Sequence, residues 1–435
     1  MDLLGDIGQA DQLTATRAEN AVLQQRVKEL TARVKVLQIE NESLKAEIEM
    51  FRKETALPNF SQLALGQQQT GINKNQTAQM AFVKAGDGTY PSTPAIVLNN
   101  LHGLSNPLCC SLNADYTILA TGGADGVLSL VRWGSVYTSS AEETVRSAAR
   151  YSLGTPVMCV AFSMVAKNIV AAACMDGNVY LVDSKAAAAE PQSNDNVVVL
   201  PKPHNKYVKS LAWSCHEPTL ATASANGSIH IYKITPPTAF EPTMNVQFVT
   251  SLHWNDPVET CLFLPNHRFI CHVRGTPFLQ YFNENTFEPE KQVNLNADSS
   301  GNHDYHVSFT IMDLQLSPNQ QYLAAATDAN RNIILNLEGG IVRNLYGHTA
   351  DGFSTPKIIW ANDSYVVSNT QDQAALCVWD VASSQLVERL TIPHTQPIRA
   401  LCSSGQNFIV TTSFDKQTCL WMSQHDTSGD SCMDT

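Results

Sequence analysis

Histidine, hydroxyl and carboxylate side chains return in a fixed order along this chain. His394, Thr411 and Asp415 are followed by Trp421, and His348, Ser368 and Asp372 by Trp379. His102, Thr121 and Asp125 form a third set, and His204, Thr222 and Asn226 with Tyr232 a softened fourth. An imidazole between a hydroxyl and a carboxylate is the constellation of nucleophilic acyl transfer, in which histidine takes the hydroxyl proton and the carboxylate orients the ring. No G-x-S-x-G elbow accompanies these sets, however, and the chain has no P-loop, H-E-x-x-H or EF-hand loop. Gly86-Asp87-Gly88 is a fragment and not a dinucleotide fingerprint. His303, Asp304 and His306 bring metal-ligand types into a polar loop, but without the fourth ligand of a closed site. The expectation is therefore no catalytic residue, no cofactor and no metal.

What must position these residues is a set of short strands. Runs such as His394–Leu401, Phe408–Asp415 and Gln417–Trp421 alternate apolar and polar residues with period two and are separated by Gly or polar turns. The pattern recurs seven times between Leu98 and Met422, at a period of roughly 40 to 50 residues, which is the mark of a β-propeller. Its last copy lacks a fourth strand, and Ala95-Ile96-Val97-Leu98 is expected to supply it from the other end of the ring, removing an open sheet edge.

The four sets resemble the WD-repeat family, in which each unit carries a His before its first strand, a Ser or Thr in the second, an Asp in the following turn and a Trp ending the third. The resemblance covers roughly three quarters of the chain, with weaker copies at Asp176-Gly177, at Val258 to Phe282 and at Ile311 to Asn336. It implies that Asp orients His and that hydrogen bonds continue to the hydroxyl and the indole, so these residues are framework and not a triad. Such a buried network must be satisfied throughout. The family also implies protein or peptide partners. Of its specialised branches, phosphoinositide binders carry Phe-Arg-Arg-Gly where this chain has His272-Val273-Arg274-Gly275, and ubiquitin-ligase receptors carry Trp-Asp-x-Arg where it has Trp379-Asp380-Val381-Ala382.

Upstream the period changes from two to seven. Leu23, Leu30, Leu37, Leu44 and Phe51 occupy one heptad position, and Asn20, Val27, Val34, Asn41 and Ile48 the other. Leu at d with β-branched residues at a favours a parallel two-stranded coil, and an Asn at a fixes register by meeting its twin. Glu40 would face Lys45 and Glu47 would face Arg52 across the dimer, with no like-charge pair. The expected organisation is a tail at 1–12, a parallel dimeric coiled coil at 13–56, a flexible linker at 57–93, a seven-bladed propeller at 94–424 and an acidic tail at 425–435. A linker of that length spans on the order of 35 Å.

Composition closes off other classes. Forty acidic against 28 basic residues give a net charge of -12, which opposes a phosphate-binding surface, so no nucleic acid is expected. No apolar run of membrane-spanning length occurs, and an acidic start is unlike a signal peptide. Eleven cysteines, an odd number without C-x-x-C, sit mostly in strands and read as small core residues. The sequence is thus read as a homodimeric, non-enzymatic scaffold for protein partners, cytoplasmic with cytoskeletal or nuclear sites open, and not secreted. Its candidate partner surface is two long loops on the face of the d-to-a turns, with His303, Asp304 and His306 in one and Asp351 and Phe353 in the other.

Overall fold

The computed structural model describes residues 24–27, 85–132, 140–185, 197–238, 243–296, 309–350, 355–371, 373–391, 393–405 and 408–423. The chain divides into two units, Met1–Lys74 and Asn75–Thr435. In the first, residues 24–27 are helical and Val27 is 62% exposed. The remaining heptad positions lie outside the described residues.

The second unit is seven four-stranded antiparallel sheets. Strand β1 is Thr93–Asn99, and six blades follow in simple sequence order. Blade one is β2 (Pro107–Leu112), β3 (Ile118–Gly123), β4 (Val127–Arg132) and β5 (Ala149–Ser152). Blade two is β6 (Val157–Phe162), β7 (Ile169–Cys174), β8 (Val179–Asp183) and β9 (Val197–Val199). Blade three is β10 (Val208–Trp213), β11 (Thr219–Ser224), β12 (Ser228–Thr235) and β13 (Asn245–His253). Blade four is β14 (Val258–Leu264), β15 (Arg268–Val273), β16 (Phe278–Asn283) and β17 (Pro289–Asn294). Blade five is β18 (Ile311–Leu316), β19 (Tyr322–Thr327), β20 (Arg331–Asn336) and β21 (Ile341–Tyr346). Blade six is β22 (Ile358–Trp360), β23 (Tyr365–Asn369), β24 (Leu376–Asp380) and β25 (Gln385–Leu390).

Blade seven is β26 (Ile398–Ser403), β27 (Phe408–Ser413) and β28 (Gln417–Met422), completed by β1. The expected N-terminal strand is therefore present, two residues longer at its start and one at its end. It pairs antiparallel with β28 from Thr93 opposite Met422 to Asn99 opposite Gln417. Leu98 and Leu101 are fully or almost fully buried beside Val410 and Leu420, so closure is apolar as well as hydrogen-bonded. A short helix, α1 (Ala141–Arg146), capped by Ser140, enters between β4 and β5 and adds Ala141 and Val145 to that cluster.

Simple alternation describes the blades incompletely. Every residue of β7, β11 and β19 is buried, and the runs Ala171–Ala173 and Ala324–Ala326 have no exposed surface. These second strands are covered on both faces by neighbouring blades, which converge toward the axis and leave room for small side chains. Outer strands such as β13 do alternate, half in and half out.

The stretch Ala85–Ser92, which the linker expectation covers, is held on blade six. Gly86 N–H donates to Asp380 (3.2 Å) and Gly88 N–H to the Tyr365 hydroxyl (2.8 Å). The Tyr90 ring lies 4.8 Å from that of Tyr365, and its hydroxyl donates to Glu388 at 2.7 Å. A Cβ at Gly86 would fall 2.1 Å from the Tyr365 ring, so glycine is what permits the approach.

Candidate functional site: blade networks and the inner mouth

The framework sets can be traced atom by atom. In blade seven His394 Nδ1 lies 2.9 Å from Asp415 and its Nε2 2.6 Å from the Thr411 hydroxyl, which also accepts the Trp421 indole N–H at 2.9 Å. Asp415 further accepts the N–H of Thr395 and of Gln417. Burial pushes its carboxyl up, but the His394 bond and these amides outweigh burial and hold it below the usual carboxylate range. In blade one His102 joins Asp125 and Thr121, each at 3.0 Å.

Blade three substitutes a different relay. His204 Nδ1 meets the Ser228 hydroxyl at 2.8 Å, Ser228 in turn donates to Asn226, and His204 Nε2 meets Thr222 at 2.8 Å. Burial and the stacked ring of His230 push His204 down to about 3, so it is neutral. Tyr232 does not close this network; its hydroxyl donates to the carbonyl of Lys202. In blade six the indole of Trp379 donates to the Tyr346 carbonyl (2.8 Å) and Ser368 donates to that of Asn369, while the ring of His348 meets Trp379 edge-on. Asp372 lies outside the described residues. Thr121, Thr222, Ser368 and Thr411 have no exposed surface, so none can meet a substrate.

A second constellation was not legible in the sequence. In six of the seven inner strands the pairing slips by one residue at the same place, leaving Leu108, Met158, Lys209, Glu259, Met312 and Arg399 out of the register. A bulge inserts a residue that the ladder does not use and re-aims its side chain. Repeated around the ring, it brings a band of charged and apolar groups to the inner strands.

Within this band Glu259, almost fully buried, is clasped by Lys209 (2.5 Å) and Arg274 (2.6 Å). The hydrogen bond that Arg274 donates to Glu259 raises its pKa above the ordinary value. Lys357 pairs with Asp313 at 3.1 Å; burial pulls its pKa down, but Asp313 outweighs burial and raises it. Asp313 also accepts the N–H of Ile358. Arg399 donates to the Thr355 hydroxyl and has no carboxylate partner among the described residues. Burial lowers its pKa, and Cys159 and Cys109 share its surroundings. These thiols are themselves pushed up by burial, which makes them poor nucleophiles. Arg274 follows the motif position tested for phosphoinositide binding, and it is committed to Glu259.

Of the candidate partner surface, His303, Asp304, His306, Asp351 and Phe353 lie outside the described residues. So do the dimerisation positions Asn20, Leu23, Leu30, Val34, Leu37, Asn41, Leu44, Ile48 and Phe51. None of the described cysteines is in a disulfide. No helix among the described residues is long and apolar enough to cross a membrane.

Residues 196–233 match the family described as WD domain, G-beta repeat. The matched unit begins at the outer strand of blade two and ends in the third strand of blade three, so the sequence repeat straddles two blades just as β1 straddles the closure. The chain is thus a seven-bladed β-propeller in which one unit matches this repeat, and the other blades resemble it in strand order. Propellers of this family generally serve as protein-interaction scaffolds and are typically non-enzymatic. Comparison with curated proteins gave no match.

Proposed function

We propose that the chain is a non-enzymatic homodimeric adaptor whose two propellers dock protein partners at the inner mouth, with preference for an acidic segment. The observation that carries this reading is the imbalance of charge there. Lys209, Arg274, Lys357 and Arg399 stand among three carboxylates, Glu259, Asp313 and Asp328, in a chain whose net charge is -12. Arg399 is the group left to bind. A guanidinium already largely withdrawn from water gains more from a bidentate carboxylate than an exposed one does. The exposed part of Tyr207, near Lys209, offers an amphipathic contact beside it.

Pairing through the heptads would double the docking sites and raise avidity without a new contact. A ubiquitin-ligase receptor or a phosphoinositide-binding propeller remains the alternative use of such a module. The Ala382 and Arg274 positions described above favour neither. Light scattering of the full chain tests the dimer: a particle of twice the 47.5 kDa chain is expected at micromolar concentration, and a monomer would refute the pairing. Cytoplasmic and nuclear fractions are where partners would be sought.

A further inference from the structure

On the face opposite the d-to-a turns, three hairpin turns of blades three and four meet at two imidazoles and a carboxylate. His216 lies between β10 and β11, His267 between β14 and β15, and Glu284 after β16. Their ligand atoms all lie within 4.8 Å of one another. The two rings are stacked at 3.8 Å. We infer that His216, His267 and Glu284 form a binding site for a divalent transition metal such as Zn²⁺, joining adjacent blades and leaving a coordination position open to solvent.

The carboxylate supplies the strongest argument. The Glu284 side chain is 7% exposed, and its Oε1 is held by the Ser214 hydroxyl, which also accepts the N–H groups of His216 and Glu217. Its Oε2 is buried and makes no hydrogen bond. That atom points instead at His267 Nδ1 (3.4 Å) and His216 Nε2 (3.8 Å), too far or too poorly aligned for hydrogen bonding. Two ligands each about 2.1 Å from zinc at the tetrahedral angle are about 3.4 Å apart. The spacing suits an ion between the groups better than a direct bond between them.

Charge leads to the same place. A buried carboxylate needs a compensating cation, and a divalent metal held between the carboxylate and the two stacked rings would supply it. The backbone is arranged to match. His267 has φ of +58°, a left-handed conformation uncommon for side chains other than Asn, Asp and His, and its carbonyl accepts the Glu284 N–H at 3.0 Å. Ser214 then acts as a positioning residue, since outer partners of metal ligands fix their orientation. The exposed imidazoles, His267 at 61%, leave a path for entry. This site is independent of the inner mouth and of the partner reading.

The test is zinc titration of the tag-free full chain, with cobalt as a spectroscopic probe. One metal per chain is expected, with visible cobalt bands of tetrahedral intensity and no thiolate charge-transfer band. Glu284→Gln keeps the Ser214 bond and His267→Asn suits the left-handed turn, so both should fold, as circular dichroism would check. Each should weaken zinc at least about 100-fold, and Ser214→Ala about 10-fold. Absence of zinc binding, a thiolate-to-cobalt band in the unaltered protein, or affinity unchanged in the folded Glu284→Gln and His267→Asn variants would overturn the site. So would loss of binding on changing His303 and His306 instead.

Discussion

The blade-seven network makes a prediction whose size follows from its geometry. Thr411→Val is close to isosteric and removes one hydroxyl, yet that hydroxyl joins His394 Nε2 and the Trp421 indole in a place with no exposed surface. Both nitrogens would be left buried and unpaired, at about 1–3 kcal/mol each, so the expected loss is about 2–6 kcal/mol. Thr411→Ser is the control: it keeps the hydroxyl and loses one buried methyl, worth about 1 kcal/mol. At about 2 °C per kcal/mol for a large domain, the Val variant should melt roughly 4–12 °C lower and the Ser variant about 2 °C lower. Differential scanning calorimetry or a circular-dichroism melt reads this directly. A Val variant as stable as the Ser variant would refute the claim that the hydroxyl, and not its volume, ties turn to strand.

Acid should weaken the fold in two stages. His204, pushed down to about 3, and His272, pushed down to about 4 chiefly by burial, bind protons in the unfolded chain before the folded one, so stability should fall as pH drops below about 6.5. Asp125 and Asp415, both held below their ordinary value, contribute stability that is complete above about 3.9 and is lost as pH falls through their lower folded values. Melting temperature against pH checks both stages, and a flat curve from pH 7 to 4 would contradict the first. Deleting residues 93–99 should open the ring at β28 and bury Leu420 no longer; aggregation or unfolding is expected, and an unchanged melt would show that closure does not depend on β1.

The ring was legible because short alternating strands recur at a period of about 40 to 50 residues with turn residues at family positions in four copies, and because the missing strand at the end could be matched with Ala95–Leu98 at the start. The network was legible to the extent that its members sit at family spacing. Ser228 as the partner of His204 was not, because it occupies the first residue of a strand where the pattern calls for an Asp two positions earlier. Trp379 sits in the expected place but spends its N–H on Tyr346, a choice made by side-chain packing and not by spacing. The inner-strand bulges leave no mark in composition, since one unpaired residue in six reads like ordinary strand. His216, His267 and Glu284 come from three turns of two blades, and nothing in their linear separation marks them as neighbours.

The most direct test of the adaptor reading is selection from a random peptide display library on the immobilised full chain, followed by binding of the selected peptides to the unaltered protein and to Arg399→Glu. Enrichment of Asp- and Glu-containing peptides is predicted, with affinity lost in the variant while its melting temperature stays within a few degrees. Peptides without acidic residues, or acidic peptides that bind Arg399→Glu equally well, would contradict the assignment of the inner mouth as the docking site.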